Sequence, residues 1–177
     1  MTILPLPAFN DNYIWVILQE SKDLVWAVDP GDADVVIHYL TRQKKKLAGI
    51  LVTHHHPDHT GGVQQLKEQF NCPVYGPRQL QPLITHPVKD NDSVQVFEYT
   101  FYAMETPAHT LDHVCYFSDN ENTPILFSGD TLFRGGCGRL MEGTANQMLV
   151  AMNRLKTLPK KTKVYCTHEY TLSNYQF

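Results

Sequence analysis

The sequence predicts a single α/β domain in which strands and helices alternate, and three observations lead to this prediction. Apolar runs rich in β-branched and aromatic residues recur at strand length along the chain. Segments with helical spacing of apolar residues lie between some of these runs. The chain has 177 residues, of which 42% are hydrophobic and 19% are charged. This size and composition are typical of one globular domain with a buried core.

Seven apolar runs are predicted to be strands because each is short, rich in strand-forming residues and bounded by turn residues. They are residues 13–18, 24–29, 49–53, 94–104, 114–118, 125–129 and 163–167. The run at 94–104 is longer than an ordinary strand, so we expect a bend or a bulge within it.

Three segments are predicted to be helices. Residues 33–45 place Val36, Tyr39 and Leu40 on one face. Residues 61–69 follow a pair of glycines. Residues 145–157 begin with a Thr-x-x-Gln capping box at Thr144 and carry Met148, Met152 and Leu155 at helical spacing.

Composition argues against several classes of function. The net charge of −3 gives no general attraction to nucleic acid or to an anionic membrane. The basic residues at 42 and 44–46 fit a solvated helix end better than a nucleic-acid surface.

No apolar run approaches the roughly 18 residues that a membrane helix needs. The first residues lack a basic region and contain two prolines, so no signal peptide is expected. The four cysteines form no CxxC pair, which indicates reduced thiols in a cytoplasmic protein.

Side chains that bind metals follow four of the predicted strands. Residues 53–62 read THHHPDHTGG, and on their own they fit a solvated loop as well as a metal site. Three further runs, 94–104, 125–129 and 163–167, lead to His109, Asp130 and His168. Loops at one edge of a sheet converge, and α/β sheets build their sites there. The sequence therefore predicts a metal site made by His54, His56, Asp58, His59, His109, Asp130 and His168.

The number of candidate ligands indicates two metal ions. A single catalytic zinc usually takes three protein ligands and one water. Seven nitrogen and oxygen donors are too many for one ion and fit two ions that share a carboxylate. Two such ions can produce hydroxide at neutral pH without a side-chain nucleophile. Zinc is expected first, and because cysteine is not part of the set, iron and manganese are alternatives.

Several motifs resemble one known family. The H-x-H-x-D-H pattern at 54–59 is the signature of the metallo-β-lactamase superfamily. The stretches FNDNYIWV, VDPGDA, GPRQ, SGDTLFRGGCGRLMEGT and HEYTLSN resemble its glyoxalase II branch, the hydroxyacylglutathione hydrolases. The resemblance extends over essentially the whole chain. It implies an αββα sandwich with the metal site at one edge of the sheets.

The resemblance also implies which residue binds which ion. His54, His56 and His109 would bind one metal, Asp58, His59 and His168 would bind the other, and Asp130 would bridge them. It implies hydrolysis of S-D-lactoylglutathione to D-lactate and glutathione by a metal-bound hydroxide. Asp58 would orient this hydroxide and accept its proton.

Two residues are expected to contact the substrate on the same resemblance. Arg139 would bind the glutathione moiety, with a solvated loop charge as the alternative, and Tyr170 would form a pocket wall. The chain departs from the family pattern at Ala108, Asp112 and Met141, where relatives carry glycine, glycine and tyrosine. If residue 108 needs a positive φ, alanine there would cost local stability.

Two neighbours of the expected ligands are assigned supporting roles. Asp29, in VDPGD, is expected either to support a ligand histidine or to serve only as a turn residue. His113 is expected to support the site or the fold and not to bind a metal.

The last residues of the chain lead to a further expectation. Glyoxalase II relatives continue into a helical region that supplies basic side chains to glutathione, whereas residues 1–177 would form the catalytic domain without it. We therefore expect thioester hydrolysis with a raised KM and little preference for glutathione. A monomer is expected, with self-association through the apolar residues Leu172, Tyr175 and Phe177.

Three other functions stay open. The first is another two-metal hydrolase of this fold, such as a lactonase. The second is a sulfur dioxygenase with one iron, which the presence of both His59 and His168 disfavours. The third is an inert fragment whose metals serve only folding.

Overall fold

The chain divides into two units, Met1–Pro87 and Val88–Phe177, each organised around its own β-sheet. The computed structural model describes residues 1–120 and 123–177. None of the helices in this described part of the chain has the length and apolar character that a membrane crossing needs.

The first unit contains a six-stranded sheet with the strands in sequence order from β1 to β6. The strands of this sheet are β1 (Thr2–Ala8), β2 (Asn12–Leu18), β3 (Leu24–Val28), β4 (Lys46–Leu51), β5 (Val74–Pro77) and β6 (His86–Val88), and the last residue of β6 is the first residue of the second unit. The helices of the first unit are α1 (Ala33–Gln43), α2 (Pro57–Thr60) and α3 (Val63–Phe70), and a 3₁₀ turn spans Arg78–Leu80. β1, β2 and β3 pair antiparallel, whereas β3, β4 and β5 pair parallel. The carboxyl ends of β3 and β4 therefore lie at the same edge of this sheet.

Apolar residues of the sheet and of two helices form the core of the first unit. Val16, Ala27 and Ile50 are fully buried on the central strands. The predicted face of α1 is confirmed, because Val36 and Leu40 are buried in this core and the partly buried Tyr39 packs against it. The helix ends earlier than predicted, at residue 43, because Lys44 adopts the left-handed conformation with φ 53°.

The edge strand β1 contains two prolines and was not predicted. Its ladder with β2 runs without interruption from the Thr2–Leu18 pair to the Ala8–Asn12 pair. Pro5 and Pro7 are two residues apart, so their missing N–H groups lie on the same side of the strand. The unbroken ladder indicates that this side faces away from β2.

The second unit contains a five-stranded sheet in the order β13-β10-β9-β8-β7. The strands of this unit are β7 (Ser93–Val96), β8 (Tyr99–Glu105), β9 (Val114–Ser118), β10 (Ile125–Gly129), β11 (Leu132–Phe133), β12 (Gly136–Cys137) and β13 (Lys163–Cys166). Its helices are α4 (Ala145–Lys156) and α5 (Thr171–Gln176). β9 pairs antiparallel with both β8 and β10, and β10 pairs parallel with β13. β8, β10 and β13 therefore end at the same edge, as the sequence analysis requires for His109, Asp130 and His168.

One predicted strand is wrong. Residues 94–104 form the hairpin of β7 and β8, and Val96 pairs with Tyr99 across the turn. Phe97 occupies this turn with φ 56°, a conformation that glycine or asparagine usually provides. The turn therefore carries no sequence signal.

Other predicted boundaries shift by a few residues. The predicted strand at 49–53 is β4, which begins at Lys46 and ends at Leu51. The helix predicted over 61–69 is α3, and the short helix α2 precedes it with Pro57 as its first residue. The strands predicted at 114–118 and 125–129 match β9 and β10.

Helix α4 matches its prediction closely. Thr144 accepts a hydrogen bond from the Gln147 N–H, and the Gln147 side chain binds back to the Thr144 N–H, which confirms the capping box. Leu155 packs with buried residues of β8, β9 and β10. Near the carboxyl end of α4, Arg154 donates to the Asp90 carboxylate and to the Glu105 carbonyl.

Candidate metal centre

In the first unit, one buried carboxylate holds the start of the histidine loop. Asp29 follows β3 and is 2% exposed. Its Oδ1 accepts from the Thr53 N–H at 2.7 Å, and its Oδ2 accepts from the Thr53 hydroxyl at 2.8 Å. Asp29 has φ 51°, so it also makes the turn that leads out of β3. Asp29 therefore forms the turn and also contacts residues of the histidine loop.

The same contacts fix the tautomer of His54. The Thr53 hydroxyl donates its hydrogen bond to Asp29. The hydroxyl oxygen therefore accepts a hydrogen bond from His54 Nδ1 at 3.0 Å. The proton of the neutral His54 ring then sits on Nδ1, and the Nε2 lone pair is available to a cation. This Nε2 atom lies 3.1 Å from His56 Nδ1.

His59 lies between two carboxylates. Its Nδ1 is 3.2 Å from Asp29 Oδ2, and its Nε2 is 3.3 Å from Asp58 Oδ2. Asn12 donates to the same Asp58 oxygen at 2.8 Å. Burial alone would raise the pKa of the Asp58 carboxyl, but the hydrogen bond and the charge of His59, with the hydrogen bond from Asn12, lower this pKa well below its usual range. Asp58 is therefore ionised at neutral pH.

Glycines allow the histidine loop to pack against the turn after β3. A Cβ atom on Gly31 would lie 1.8 Å from the Asp58 carbonyl oxygen, so no other residue fits there without a shift of the backbone. A Cβ on Gly61 would lie 2.7 Å from the Gly31 carbonyl oxygen, and one on Gly62 would lie 2.6 Å from the Pro30 carbonyl oxygen. The glycines that end the THHHPDHTGG stretch are thus required by close backbone approach.

In the second unit, Asp130 places its two carboxylate oxygens beside two different histidines. Its Oδ2 lies 3.3 Å from His109 Nε2, and its Oδ1 lies 3.4 Å from His168 Nε2. The Thr167 hydroxyl donates to Oδ1 at 2.5 Å. All four residues are buried at the edge where β8, β10 and β13 end.

The backbone of Arg139 orients His109. The Arg139 carbonyl oxygen lies 2.8 Å from His109 Nδ1, so the ring proton sits on Nδ1 and Nε2 keeps its lone pair. A Cβ on Gly138 would lie 1.9 Å from the Asp130 carbonyl oxygen, which explains the glycine before Arg139. The Arg139 side chain is exposed, and its predicted contact with substrate stays a prediction.

Tyr170 contacts a candidate ligand through its ring. It stacks on His168 with a centroid distance of 4.8 Å and an interplanar angle of 6°. Phe133 packs edge-on against Tyr170 at 5.2 Å and against His168 at 5.8 Å. These two rings hold the His168 imidazole in one plane, and a substrate contact by Tyr170 stays a prediction.

Ala108 and His113 are both buried beside the candidate ligands of the second unit. Ala108 is fully buried and does not have a positive φ, so alanine does not strain the backbone before His109. A Cβ on Gly143 would lie 2.5 Å from the Ala108 carbonyl oxygen. The Nε2 atom of His113 accepts a hydrogen bond from the Asp130 N–H at 3.0 Å.

The hydroxyl and amide groups that orient the candidate ligands were not predicted. Thr53 and Thr167 each bind a carboxylate through their hydroxyl groups, and Asn12 binds Asp58. A signal exists for the two threonines, because each comes directly before a candidate ligand, in THH and in THE. The carbonyl of Arg139 has no such signal.

The spacing of the donor atoms fits divalent metal ions. Four pairs of donors, two in each unit, are separated by 3.1 to 3.4 Å. Zinc bonds of about 2.0–2.1 Å in a tetrahedral arrangement place neighbouring ligands about 3.3 Å apart. Imidazole and carboxylate are the donors that zinc, iron and manganese share.

The whole chain is similar to proteins named hydroxyacylglutathione hydrolase. It is 62% identical over 177 residues to the one from Marinomonas sp. (strain MWYL1), covering 100% of this chain and 68% of that protein. It is 51% identical over 176 residues to the one from Hahella chejuensis, covering 99% of this chain and 68% of that protein.

Solved structures and a family model agree with these relatives. ETHE1 from Myxococcus xanthus has a TM-score of 0.85 at 28% identity, covering 96% of this chain and 76% of the other. The BLEG-1 B3 metallo-β-lactamase has a TM-score of 0.83 at 28% identity, covering 95% and 92%. The model of the metallo-β-lactamase superfamily matches residues 12–168, which include parts of both units. The predicted resemblance is confirmed: the chain has the metallo-β-lactamase fold and belongs to the hydroxyacylglutathione hydrolase family of the metallo-β-lactamase superfamily.

Proposed function

We propose that this chain is a two-metal hydrolase that cleaves the thioester bond of S-D-lactoylglutathione and related hydroxyacylglutathiones. The names of its relatives support the substrate. The observation that carries the metal-dependent chemistry is the donor spacing of 3.1 to 3.4 Å in four pairs of ligand atoms.

We propose that His54, His56 and His109 bind one ion, that Asp58, His59 and His168 bind the other, and that Asp130 bridges them. The position of Asp130 supports the bridge, because each of its oxygens lies beside a different histidine. Zinc suits this donor set first, and iron and manganese share its preferences. When bound, the ions supply Lewis-acid polarisation of the thioester carbonyl and a more acidic water.

Asp58 has the position and charge to orient the attacking water. Its lowered pKa keeps it ionised, which suits binding a cation and accepting a hydrogen bond. We propose that Asp58 orients the attacking water and accepts its proton, as a second role beside metal binding.

Departure of the product thiol needs little help from the protein. The thiolate of a cysteine-like group has a pKa of about 8.5, so it leaves without a dedicated general acid. We propose that the exposed guanidinium of Arg139 binds the peptide or carboxylate groups of glutathione. Tyr170 would line the substrate pocket beside His168.

The four cysteines are free thiols, which supports a cytoplasmic location.

The test is metal analysis of the purified chain coupled to hydrolysis of S-D-lactoylglutathione. We expect two ions per chain and measurable thioester hydrolysis. Asp130→Ala should lose bound metal and reduce hydrolysis to background, because each ion loses the ligand that fixes it relative to the other. Glu98→Gln is the matched control, since it removes an exposed carboxylate in the turn between β7 and β8 and should change neither quantity.

A substrate panel separates the alternatives. It includes a thioester without glutathione, a lactone and a β-lactam, the last because of the 28% identity to the B3 metallo-β-lactamase. Oxygen uptake with one bound iron would support a dioxygenase. Two bound ions without hydrolysis of any thioester, or full activity of Asp130→Ala, would contradict the proposal.

A further inference from the structure

We propose that His113 is a positioning residue that fixes the backbone of Asp130 and thereby aims the bridging carboxylate. The inference rests on the proposed function only in that Asp130 binds metal. It assigns to His113 a role in metal affinity that differs from ligation and from simple packing.

His113 accepts a hydrogen bond from the backbone of Asp130. It is 1% exposed, and its Nε2 accepts from the Asp130 N–H at 3.0 Å. A backbone N–H can only donate, so Nε2 carries a lone pair and the ring proton sits on Nδ1. Because Nε2 is used in this way, it cannot bind a metal.

A buried polar network fixes the other side of the ring. His113 Nδ1 lies 2.9 Å from the Thr106 hydroxyl and 3.1 Å from the Thr131 hydroxyl. The Thr131 hydroxyl donates to Thr106 at 3.1 Å. Thr106 contacts Cys115 Sγ at 3.3 Å, and Cys115 donates to the Ser128 carbonyl at 3.4 Å.

These contacts give every proton of the network an acceptor. The Nδ1 proton of His113 and the hydroxyl proton of Thr131 both go to Thr106, the Thr106 proton goes to Cys115, and the Cys115 proton goes to a backbone carbonyl. Fully satisfied buried networks are rigid, because any rotation leaves a group without a partner. The His113 ring is therefore locked in one tautomer and one orientation.

The hydrogen bond to His113 lies next to Gly129, where the backbone could otherwise rotate. Asp130 follows Gly129, whose φ of 49° ends β10 in a sharp turn. Rotation of the peptide between Gly129 and Asp130 would swing the carboxylate away from His109 and His168. The hydrogen bond to His113 opposes this rotation, so it sets the direction of both carboxylate oxygens.

The experiment compares two substitutions that keep different halves of the imidazole. His113→Gln can place an amide oxygen near the position of Nε2 and still accept from the Asp130 N–H. His113→Asn reaches only the position of Nδ1 and loses that hydrogen bond. Zinc alone is titrated into metal-free protein in competition with a chromophoric chelator. The thermal midpoint of each metal-free protein is measured beside it.

We expect His113→Asn to weaken zinc binding by about 10- to 100-fold, the range for residues that orient ligands, and His113→Gln to restore most of it. Cys115→Ala is the matched control, because it disturbs the far end of the network without touching Asp130. It should lower the thermal midpoint of the metal-free protein and leave zinc affinity near that of wild type.

Two outcomes for the variants would overturn the inference. One is wild-type zinc affinity in His113→Asn. The other is a loss of affinity in Cys115→Ala equal to that in His113→Asn, which would mean that stability alone sets metal binding. If His113→Gln does not fold, the comparison of the asparagine variant with Cys115→Ala still decides. Failure of wild type to bind zinc would overturn both the proposed function and this inference, whereas unchanged variants would overturn this inference alone.

Discussion

At the scale of single residues, Asp29 shows how a side chain outside the donor set controls two histidines. Its carboxylate contacts His59 directly and reaches His54 through the hydroxyl of Thr53. The contact through Thr53 places the proton of the His54 ring on Nδ1 and leaves Nε2 for a cation. The contact with His59 Nδ1 turns Nε2 of that ring toward Asp58. One buried carboxylate thus prepares donors that we assign to two different ions.

Asp29→Asn should therefore weaken metal binding. Asparagine tolerates a positive φ, so the turn should persist. Its amide NH₂ group, however, cannot accept from both Thr53 and His59. We expect a loss of zinc affinity of about 10- to 100-fold, measured by chelator competition. Asp32→Asn is the control, because asparagine also caps a helix and α1 should be unaffected. Equal zinc affinity of the two variants would contradict this account.

The residues of the metal centre were predictable to different degrees. His109, Asp130 and His168 could be identified because each follows a recognisable strand. The partners that orient them could not, because a hydrogen bond between the Arg139 carbonyl and His109 depends on how two loops approach each other. The two threonines lie between these cases, since each stands next to a ligand in the sequence.

At the scale of elements, prediction succeeded where periodicity and end signals agree. Helix α4 has both an apolar face and a capping box, and its start was predicted correctly. Strand β1 was missed because two prolines interrupt its pattern, although an edge strand tolerates them. The turn at Phe97 was missed because this residue adopts a positive φ, a conformation for which phenylalanine has no preference.

The contact between α4 and the turn before β7 should depend on pH. Burial would raise the pKa of the Asp90 carboxyl, but the hydrogen bonds from Arg154 and from the Glu105 backbone, with the arginine charge, lower it. A group with a lowered pKa stabilises the fold above its unfolded pKa of about 4, and this stabilisation is lost as the pH falls through the folded value.

Asp90→Asn keeps the shape of the side chain and removes its charge. We expect the thermal midpoint of this variant to lie below that of wild type at pH 7, and the difference to shrink as the pH falls below 4. Asp92→Asn is the control, since Asp92 has no arginine beside it among the described residues. A difference that stays constant between pH 7 and pH 3 would show that the ion pair does not contribute.

At the scale of the whole molecule, the candidate ligands are divided between two units. Residues of the loop after β4 supply four of them in the first unit, and the ends of three strands supply the others in the second. The sequence predicts this set because ligands cluster at strand ends in each unit. Metal binding is therefore expected to stabilise both units.

Removal of metal should accordingly lower the thermal midpoint of the whole chain. At a free zinc concentration 100 times the dissociation constant, binding contributes about 2.7 kcal/mol, which corresponds to a shift of about 5–10 °C for a chain of this size. Differential scanning calorimetry before and after chelation, and again after zinc is restored, would measure it. Asp130→Ala should show a smaller shift, and an unchanged midpoint in wild type would contradict a role of metal in folding stability.

The two prolines of β1 have a consequence for the protein in a crowded cell. An exposed sheet edge is a template on which another chain can add a strand and start aggregation. On the outer side of β1, Pro5 and Pro7 remove two of the donors that such a strand would need. Their replacement by valine would leave the ladder with β2 intact and create a continuous docking edge. We infer that these prolines act against insoluble assembly, a property that no measurement on the dilute native protein would detect.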